Sequence, residues 1–168
     1  MVTGLRPRLE AAVEFGIFLE FPIKDGRTEK EAFDDSFVLV NEAEQLGVDS
    51  LWLAEYHFSP GRVMASPIAV LSNIAARTKR IRLGTAVILL PLANPVRVAE
   101  EIATLDLVSG GRVEFGIGRG YQWGEFNGFA RSLDERVERF DECIDVILRA
   151  WSSEEPFTHN GKFWQYRD

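Results

Sequence analysis

Disulfides, metal clusters and membrane spans all require residues or runs that are scarce in this chain of 168 residues. A single cysteine, Cys143, excludes an internal disulfide, and we expect it to be a small buried residue in a reducing, cytoplasmic setting. The two histidines, His57 and His159, have no Cys/His cluster around them, so no metal site is expected. The longest apolar run, residues 86–93, is far too short to cross a bilayer, so no membrane contact is expected.

Positive charge is also in short supply. The chain has 19 Lys and Arg against 26 Asp and Glu, a net charge of −7, which argues against a nucleic-acid partner. Neither a phosphate-binding loop with Gly-Lys-Ser/Thr nor a Gly-x-Ser-x-Gly elbow occurs, so a nucleotide-hydrolysing P-loop protein and a serine hydrolase are both disfavoured. The apolar content of 46% is ordinary for a globular protein and indicates one domain with a sizeable core.

Strand-like apolar runs and helical patterns alternate along the sequence. The predicted strands cover residues 15–19, 49–54, 81–90 and 112–116. The predicted helices cover residues 28–47, 67–78, 95–108 and 132–151. Strict alternation predicts a parallel sheet with right-handed crossovers, either an open doubly wound sheet or part of a (β/α)8 barrel.

Local signals mark the ends of several elements. Segments 28–31 and 132–135 each fit a capping box at the start of a helix. In the tail, Asn160-Gly161 is typical of the tight turn of a hairpin. His159 precedes that turn, and we expect it to be solvated.

The most distinctive motif is Gly-Ile-Gly-Arg-Gly at 116–120, directly after the fourth predicted strand. Glycine has no Cβ, so main-chain N–H groups can approach a bulky anion, and Arg119 offers a planar fork of donors for phosphate. Glycine turns after strands are common, so the motif alone also fits a plain structural turn. The second predicted strand leads into Glu55-Tyr56-His57 at the same end of the sheet, where α/β proteins bind ligands. His57 can transfer protons near neutral pH, although a structural histidine bonded to a carbonyl is the alternative.

Several segments together resemble the bacterial luciferase-like flavin-dependent monooxygenases. They occur in family order over roughly residues 14–150, at 15–18, 52–58, 83–91, 94–100, 105–106, 109–112 and 115–120. The resemblance implies a (β/α)8 TIM barrel that binds reduced FMN at the carboxyl ends of its strands. It also implies O2 as co-substrate, a small apolar organic substrate that receives one oxygen atom, and a flavin reductase that supplies the reduced FMN.

The same resemblance assigns site residues. The implied cofactor-binding positions are Phe18, Ala86, Val87, Gly118, Arg119 and Gly120. Among these, Arg119 would hold the flavin phosphate, and the Ala86-Val87 bond would be a non-proline cis peptide under the flavin ring. The implied catalytic positions are Glu55, Tyr56 and His57, with His57 as the acid–base group.

Two departures from the family pattern favour a non-luminescent relative. Luciferase catalytic subunits have two consecutive histidines where this chain has Tyr56-His57, and Gly118 replaces their reactive cysteine. A deazaflavin-dependent hydride-transfer oxidoreductase stays open as an alternative. A non-catalytic flavin-binding or assembly subunit and an inactive fragment stay open as well.

Four βα units are half of the eight that a complete barrel needs. We therefore expect residues 14–168 to be the N-terminal half of a longer barrel, or a truncated product, behind a leader of residues 1–13. The resemblance further implies a homo-oligomer formed through the helices at 67–78 and 95–108.

Overall fold

The computed structural model describes residues 13–24 and 26–167, so the predicted leader lies outside the described residues except for Val13. Six short strands belong to the βα units: β1 (Gly16–Leu19), β2 (Ser50–Leu53), β3 (Arg82–Thr85), β4 (Ile88–Leu89), β5 (Val113–Glu114) and β6 (Ile117–Gly118). Strands β1, β2, β3 and β5 form one parallel sheet in chain order. In a doubly wound sheet the spatial order of the strands reverses part-way, although the strands stay parallel. The described sheet shows no such reversal, so its strand order is that of a barrel.

Two strands that the sequence predicts as continuous are each interrupted. The predicted strand 81–90 divides into β3, β4 and a 3₁₀ turn at Leu90–Leu92, and the predicted strand 112–116 ends early, before β6. The peptide bond between Ala86 and Val87, at the first break, is cis, as the resemblance implies. Thr85 Oγ1 donates to the Gly116 carbonyl at 2.8 Å and accepts from the Gly116 N–H at 3.0 Å. The two breaks are therefore bonded to each other, and β4 pairs with β6 beyond them.

Within residues 13–24 and 26–167, five α-helices follow the strands. They are α1 (Glu29–Leu46), α2 (Pro67–Arg77), α3 (Pro95–Ser109), α4 (Trp123–Gly128) and α5 (Arg136–Ser152). The capping box at Thr28 and Glu31 is confirmed, since each side chain bonds the main-chain N–H of the other residue. The second predicted capping box is wrong. Ser132 makes no side-chain cap bond and instead precedes a 3₁₀ turn that delays the start of α5.

The main core lies between the outer face of the sheet and the helices. Leu51, Leu53 and Leu83 are fully buried against α1, α2 and α3. Along their strands they alternate with residues on the opposite face of the sheet. The opposite face of the sheet carries Phe18, Trp52 and Gly84 side by side in register. The Trp52 ring occupies the space over Gly84 that a Cβ would fill.

The tail hairpin pairs β7 (His159–Asn160) with β8 (Gln165–Tyr166), and its predicted tight turn is wrong. Asn160 is paired with Gln165, so the turn contains four residues, 161–164. The reason is Glu142 of α5, whose carboxylate accepts from the N–H groups of three turn residues: Lys162, Phe163 and Trp164.

The prediction that His159 is solvated is also wrong. The His159 side chain is buried, and its Nε2 lies 3.2 Å from the Glu142 carboxylate, because the hairpin folds over α5. Cys143, next along that helix, is buried as predicted, and burial raises the pKa of its thiol to about 12. Across residues 13–24 and 26–167, no helix has the length and apolarity needed to cross a membrane.

Candidate active site

The carboxyl ends of the strands meet at one edge of the sheet, where two adjoining cavities of about 130 and 510 Å³ open. The smaller cavity is lined by residues that follow β2, by the cis turn after β3 and by the first turn of α4. The larger cavity is lined by β4, β6, the glycine loop and α5. Four residues line both: Val87, Leu89, Gly120 and Tyr121. The structure therefore brings the segment after β2, the cis turn and the glycine loop together around adjoining cavities.

The Glu55 carboxylate joins two strands and the imidazole of His57. Its Oε2 accepts from the Leu89 N–H at 2.7 Å, and its Oε1 lies 2.7 Å from His57 Nε2. Both side chains are only 12% exposed, so this pair is largely shielded from water. Glu55 lines the smaller cavity, whereas the His57 ring lies behind it, 4.7 Å from the ring centre of Phe129. Of the two residues, Glu55 lines the cavity and His57 does not.

Tyr56 also lines the smaller cavity, and it is a hydrogen-bond donor. Its hydroxyl donates to the Glu20 carboxylate, and this bond raises the pKa of the Tyr56 phenol, with burial as a further cause. Arg62 completes the cluster: its guanidinium lies 4.0 Å over the Tyr56 ring and 2.9 Å from the same Glu20 oxygen. Because its single proton is donated to Glu20, the Tyr56 hydroxyl can accept a hydrogen bond from a ligand but does not act as an acid or a base toward it.

Arg119 and its flanking glycines form one wall of the larger cavity. The Arg119 side chain is exposed, with its guanidinium carbon 5.4 Å from the Phe140 ring centre. Within the part of the chain that the structure describes, no carboxylate lies within ion-pair distance of Arg119. Gly120 adopts a φ of 71°, and a Cβ at Gly118 would overlap the Val87 side chain. This loop has the free cation and the closely approaching backbone that a phosphate needs.

One predicted residue lies apart from the others. Phe18 is on the sheet face opposite the helices, is 52% exposed and lines neither cavity. Conversely, Glu125 is a site residue that the sequence does not single out: it is 3% exposed, lines the smaller cavity and accepts from the His57 N–H at 3.1 Å. No local signal marks Glu125, because its partner is 68 positions away and its helix has only six residues.

The sequence of residues 13–168 matches the family of luciferase-like monooxygenases, which covers all but the first twelve residues. The chain belongs to this family. Its parallel sheet with one-way strand order, its cis bond at Ala86-Val87 and its arginine between glycines are the features described above.

Individual relatives agree with this assignment. The oxygenase component of a flavin-dependent trigonelline monooxygenase from Acinetobacter baylyi is 29% identical over 157 residues, which is 92% of this chain and 43% of that protein. The monooxygenase RslO1 from Streptomyces bottropensis superposes with a TM-score of 0.84 at 32% identity, covering 92% of this chain and 47% of that one. The oxygenating constituent of 3,6-diketocamphane monooxygenase from Pseudomonas putida, solved with FMN, has a TM-score of 0.86 at 25% identity and coverages of 93% and 43%.

This chain spans less than half the length of these relatives. A coenzyme F420 dependent tetrahydromethanopterin reductase from Methanopyrus kandleri is a more distant match, with a TM-score of 0.66 at 24% identity, and shares the fold.

Proposed function

We propose that this chain contributes the flavin site of a flavin-dependent monooxygenase that transfers one oxygen atom of O2 to a small organic substrate without emitting light. One observation supports it most strongly: a shielded Glu55–His57 pair, and an exposed arginine with no carboxylate partner among the described residues, border adjoining cavities in a member of this family. Three of the four relatives named above are monooxygenases, and the descriptions of two of these mention a flavin.

The residues at the site fit FMN. Arg119 would hold the phosphate, and Gly118 and Gly120, which have no Cβ, would let the main chain come close to it. Ala86 and Val87 would contact the flavin from the cis turn. Phe18 stays a predicted contact only, because it lines neither cavity. Reduced FMN, when bound, supplies the electrons that activate O2. That the reduced FMN comes from a separate reductase is part of the proposal, supported by the relative named as an oxygenase component.

The chain's own residues would manage protons and exclude water. Glu55 is fixed by the Leu89 N–H, so its other oxygen can exchange a proton with His57 without moving away from the cavity. The Tyr56 hydroxyl stays protonated and donates to Glu20, so toward a ligand it would only accept a hydrogen bond. Leu89, whose N–H binds Glu55, is buried, and the Phe129 ring packs against His57, so both would help to keep bulk water from the pair.

The alternatives have weaker support. Hydride transfer with a deazaflavin is supported only by a fold-level match, whereas the monooxygenase relatives are nearer. An assembly role and a homo-oligomer would use the groove between α2 and α3, which is lined by Ile68, Ala69 and Arg97 among others. Both this oligomer and the cytoplasmic location remain predictions, as does the assignment of residues 14–168 to the N-terminal half of a barrel.

The test of the function is the time course of flavin reoxidation. Reduced FMN is mixed with O2 alone or with saturating protein, and flavin absorbance is followed by stopped flow. A protein that binds reduced FMN and controls its reaction with O2 changes that time course. An identical time course with and without the protein contradicts the proposal. Tight binding of coenzyme F420 in place of FMN would favour hydride transfer, and a stable dimer that binds neither cofactor would favour the assembly role.

A further inference from the structure

The short helix α4 packs against the segment 55–58 that carries the Glu55–His57 pair. Its Glu125 accepts from the His57 N–H at 3.1 Å, and Phe129, directly after the helix, places its ring 4.7 Å from the His57 ring in an edge-to-face contact. Segment 123–129 therefore touches His57 twice, once through the main chain and once through the ring.

The residue after His57 shows that this contact constrains the backbone. Phe58 has a φ of 52°, a left-handed conformation that non-glycine residues adopt only when their surroundings enforce it. Its ring lies 5.6 Å from that of Phe129 and fills the space where Gly128 lacks a Cβ. The strained turn is thus held by the same segment that holds His57.

Glu125 itself is an unusual residue to find buried. Its side chain is 3% exposed, and across the described residues its carboxylate has no cationic partner and no hydrogen bond other than the one from His57. A buried carboxylate without a cation costs folding free energy, so stability alone does not explain it. It also lines the smaller cavity together with Glu55.

We infer that Glu125 is a positioning residue for the Glu55–His57 pair. By holding the His57 N–H, its carboxylate fixes the turn in which Glu55 faces the cavity and the imidazole lies behind it. Phe129 restrains the ring from the other side. The catalytic consequence rests on the proposed function, whereas the positioning itself is a property of the fold.

The experiment compares Glu125→Ala and Glu125→Gln with wild-type protein, and uses Glu42→Ala, at an exposed helical glutamate, as the control. The His57 amide is followed in ¹H–¹⁵N spectra and by hydrogen exchange. The ring signals of His57 and His159 are followed too, and the chain has no other histidines. In Glu125→Ala we expect the His57 amide signal to move and its exchange to become at least about tenfold faster, with His159 unchanged.

The Gln variant separates positioning from general damage, because its amide oxygen can still accept the bond. It should retain most of the wild-type exchange protection, and the Ala variant should lose it. Reoxidation of bound reduced FMN should depart from the wild-type time course in the Ala variant, with FMN affinity unchanged and partial rescue in the Gln variant. An unchanged His57 amide, or unchanged reoxidation despite a moved amide, overturns the inference. A wild-type protein that does not bind FMN refutes the proposed function instead, and the amide measurement still decides the positioning.

Discussion

At the scale of single residues, the site depends on which group faces the cavity and which group supports it. Glu55 lies at the wall with both carboxylate oxygens engaged, and His57 lies behind it. A protonated imidazole beside an ionised carboxylate forms a charge-assisted contact, whereas a neutral carboxamide cannot provide that charge. The negative charge of Glu55, rather than its size, should therefore matter for proton transfer.

Glu55→Gln tests this directly. The amide oxygen can still accept from Leu89, so we expect the fold and its thermal unfolding midpoint to be nearly unchanged. The loss of acid–base function should slow substrate oxygenation, or the coupled reoxidation of bound flavin, by about 100-fold. Glu154→Gln, at an exposed glutamate, is the matched control and should be neutral. A Glu55→Gln protein with wild-type rates would remove Glu55 from the chemistry.

The sequence was informative for residues whose role depends on local pattern. Arg119 was a candidate because glycines surround it at the end of a strand, and His57 because it follows another strand; the structure places both near the cavities, and their roles stay predictions. Glu125 and Glu142 could not be predicted, because their partners are distant in sequence and a lone glutamate in a helix is most often a solvated residue.

At the scale of elements, Arg112 connects the carboxyl ends of two helices to the sheet. Its guanidinium donates to the carbonyls of Ala75, Thr78, Ile81 and Ser109 at 2.7 to 3.2 Å and to the Thr78 hydroxyl at 2.9 Å. The last carbonyls of a helix have no partner within the helix, so this single side chain satisfies groups at the ends of both α2 and α3.

Arg112→Lys should destabilise the protein although it preserves the charge. Lysine has three donors on one nitrogen and cannot span carbonyls on several sides, so we expect a loss of about 3 kcal/mol in the free energy of unfolding. Arg97→Lys, on the exposed face of α3, is the control and should change stability by less than about 0.5 kcal/mol. Equal urea midpoints for Arg112→Lys and wild type would contradict this role.

The tail hairpin has a pH-dependent anchor in Glu142. Burial opposes ionisation of this carboxyl, yet the N–H bonds from Trp164 and Phe163 and the contact with His159 together hold its pKa below the ordinary value of 4.5. A depressed pKa in the folded state means that the ionised carboxylate stabilises the fold above the unfolded value. That contribution disappears as the pH falls through the folded value.

Glu142→Gln should therefore lower the thermal midpoint at neutral pH, because a carboxamide oxygen cannot accept three N–H bonds at full strength. The difference between variant and wild type should shrink as the pH falls below 4.5. Asp141→Asn, at an exposed position on the same helix, is the control. A difference that is constant with pH would show that the charge of Glu142 does not anchor the hairpin.

Element boundaries show where local signals fail. The capping box at Thr28 and Glu31 was predictable because both residues and both bonds are local. The hairpin turn was not, because the Glu142 carboxylate selects a longer turn than Asn160-Gly161 would form alone. The apolar pattern also did not indicate the breaks in the third and fourth predicted strands. In the third, residues 86–90 are all apolar, and such a run fits a continuous strand as well as an interrupted one.

At the scale of the whole molecule, the order of strands decides where the loops meet. Alternating apolar runs and helical patterns predicted the βα units, and the structure adds that the strands run β1, β2, β3 and β5 side by side. This one-way order brings Glu55, the cis turn and the glycine loop to the same edge, although they are separated by some thirty residues each. Phe18 lines neither cavity. Its place on the sheet depends on how β1 pairs with β2, which the sequence alone could not reveal.

The central claim is that the glycine loop holds the phosphate of a flavin. Titrations of FMN and of riboflavin, which lacks the phosphate, test it most directly by flavin fluorescence with wild type, Arg119→Ala and the control Arg131→Ala, at an exposed arginine. The wild type and the control should bind FMN more tightly than riboflavin. Arg119→Ala should lose FMN affinity by about 10- to 150-fold while riboflavin affinity stays unchanged. Equal FMN affinity in wild type and Arg119→Ala would show that Arg119 does not hold the flavin phosphate.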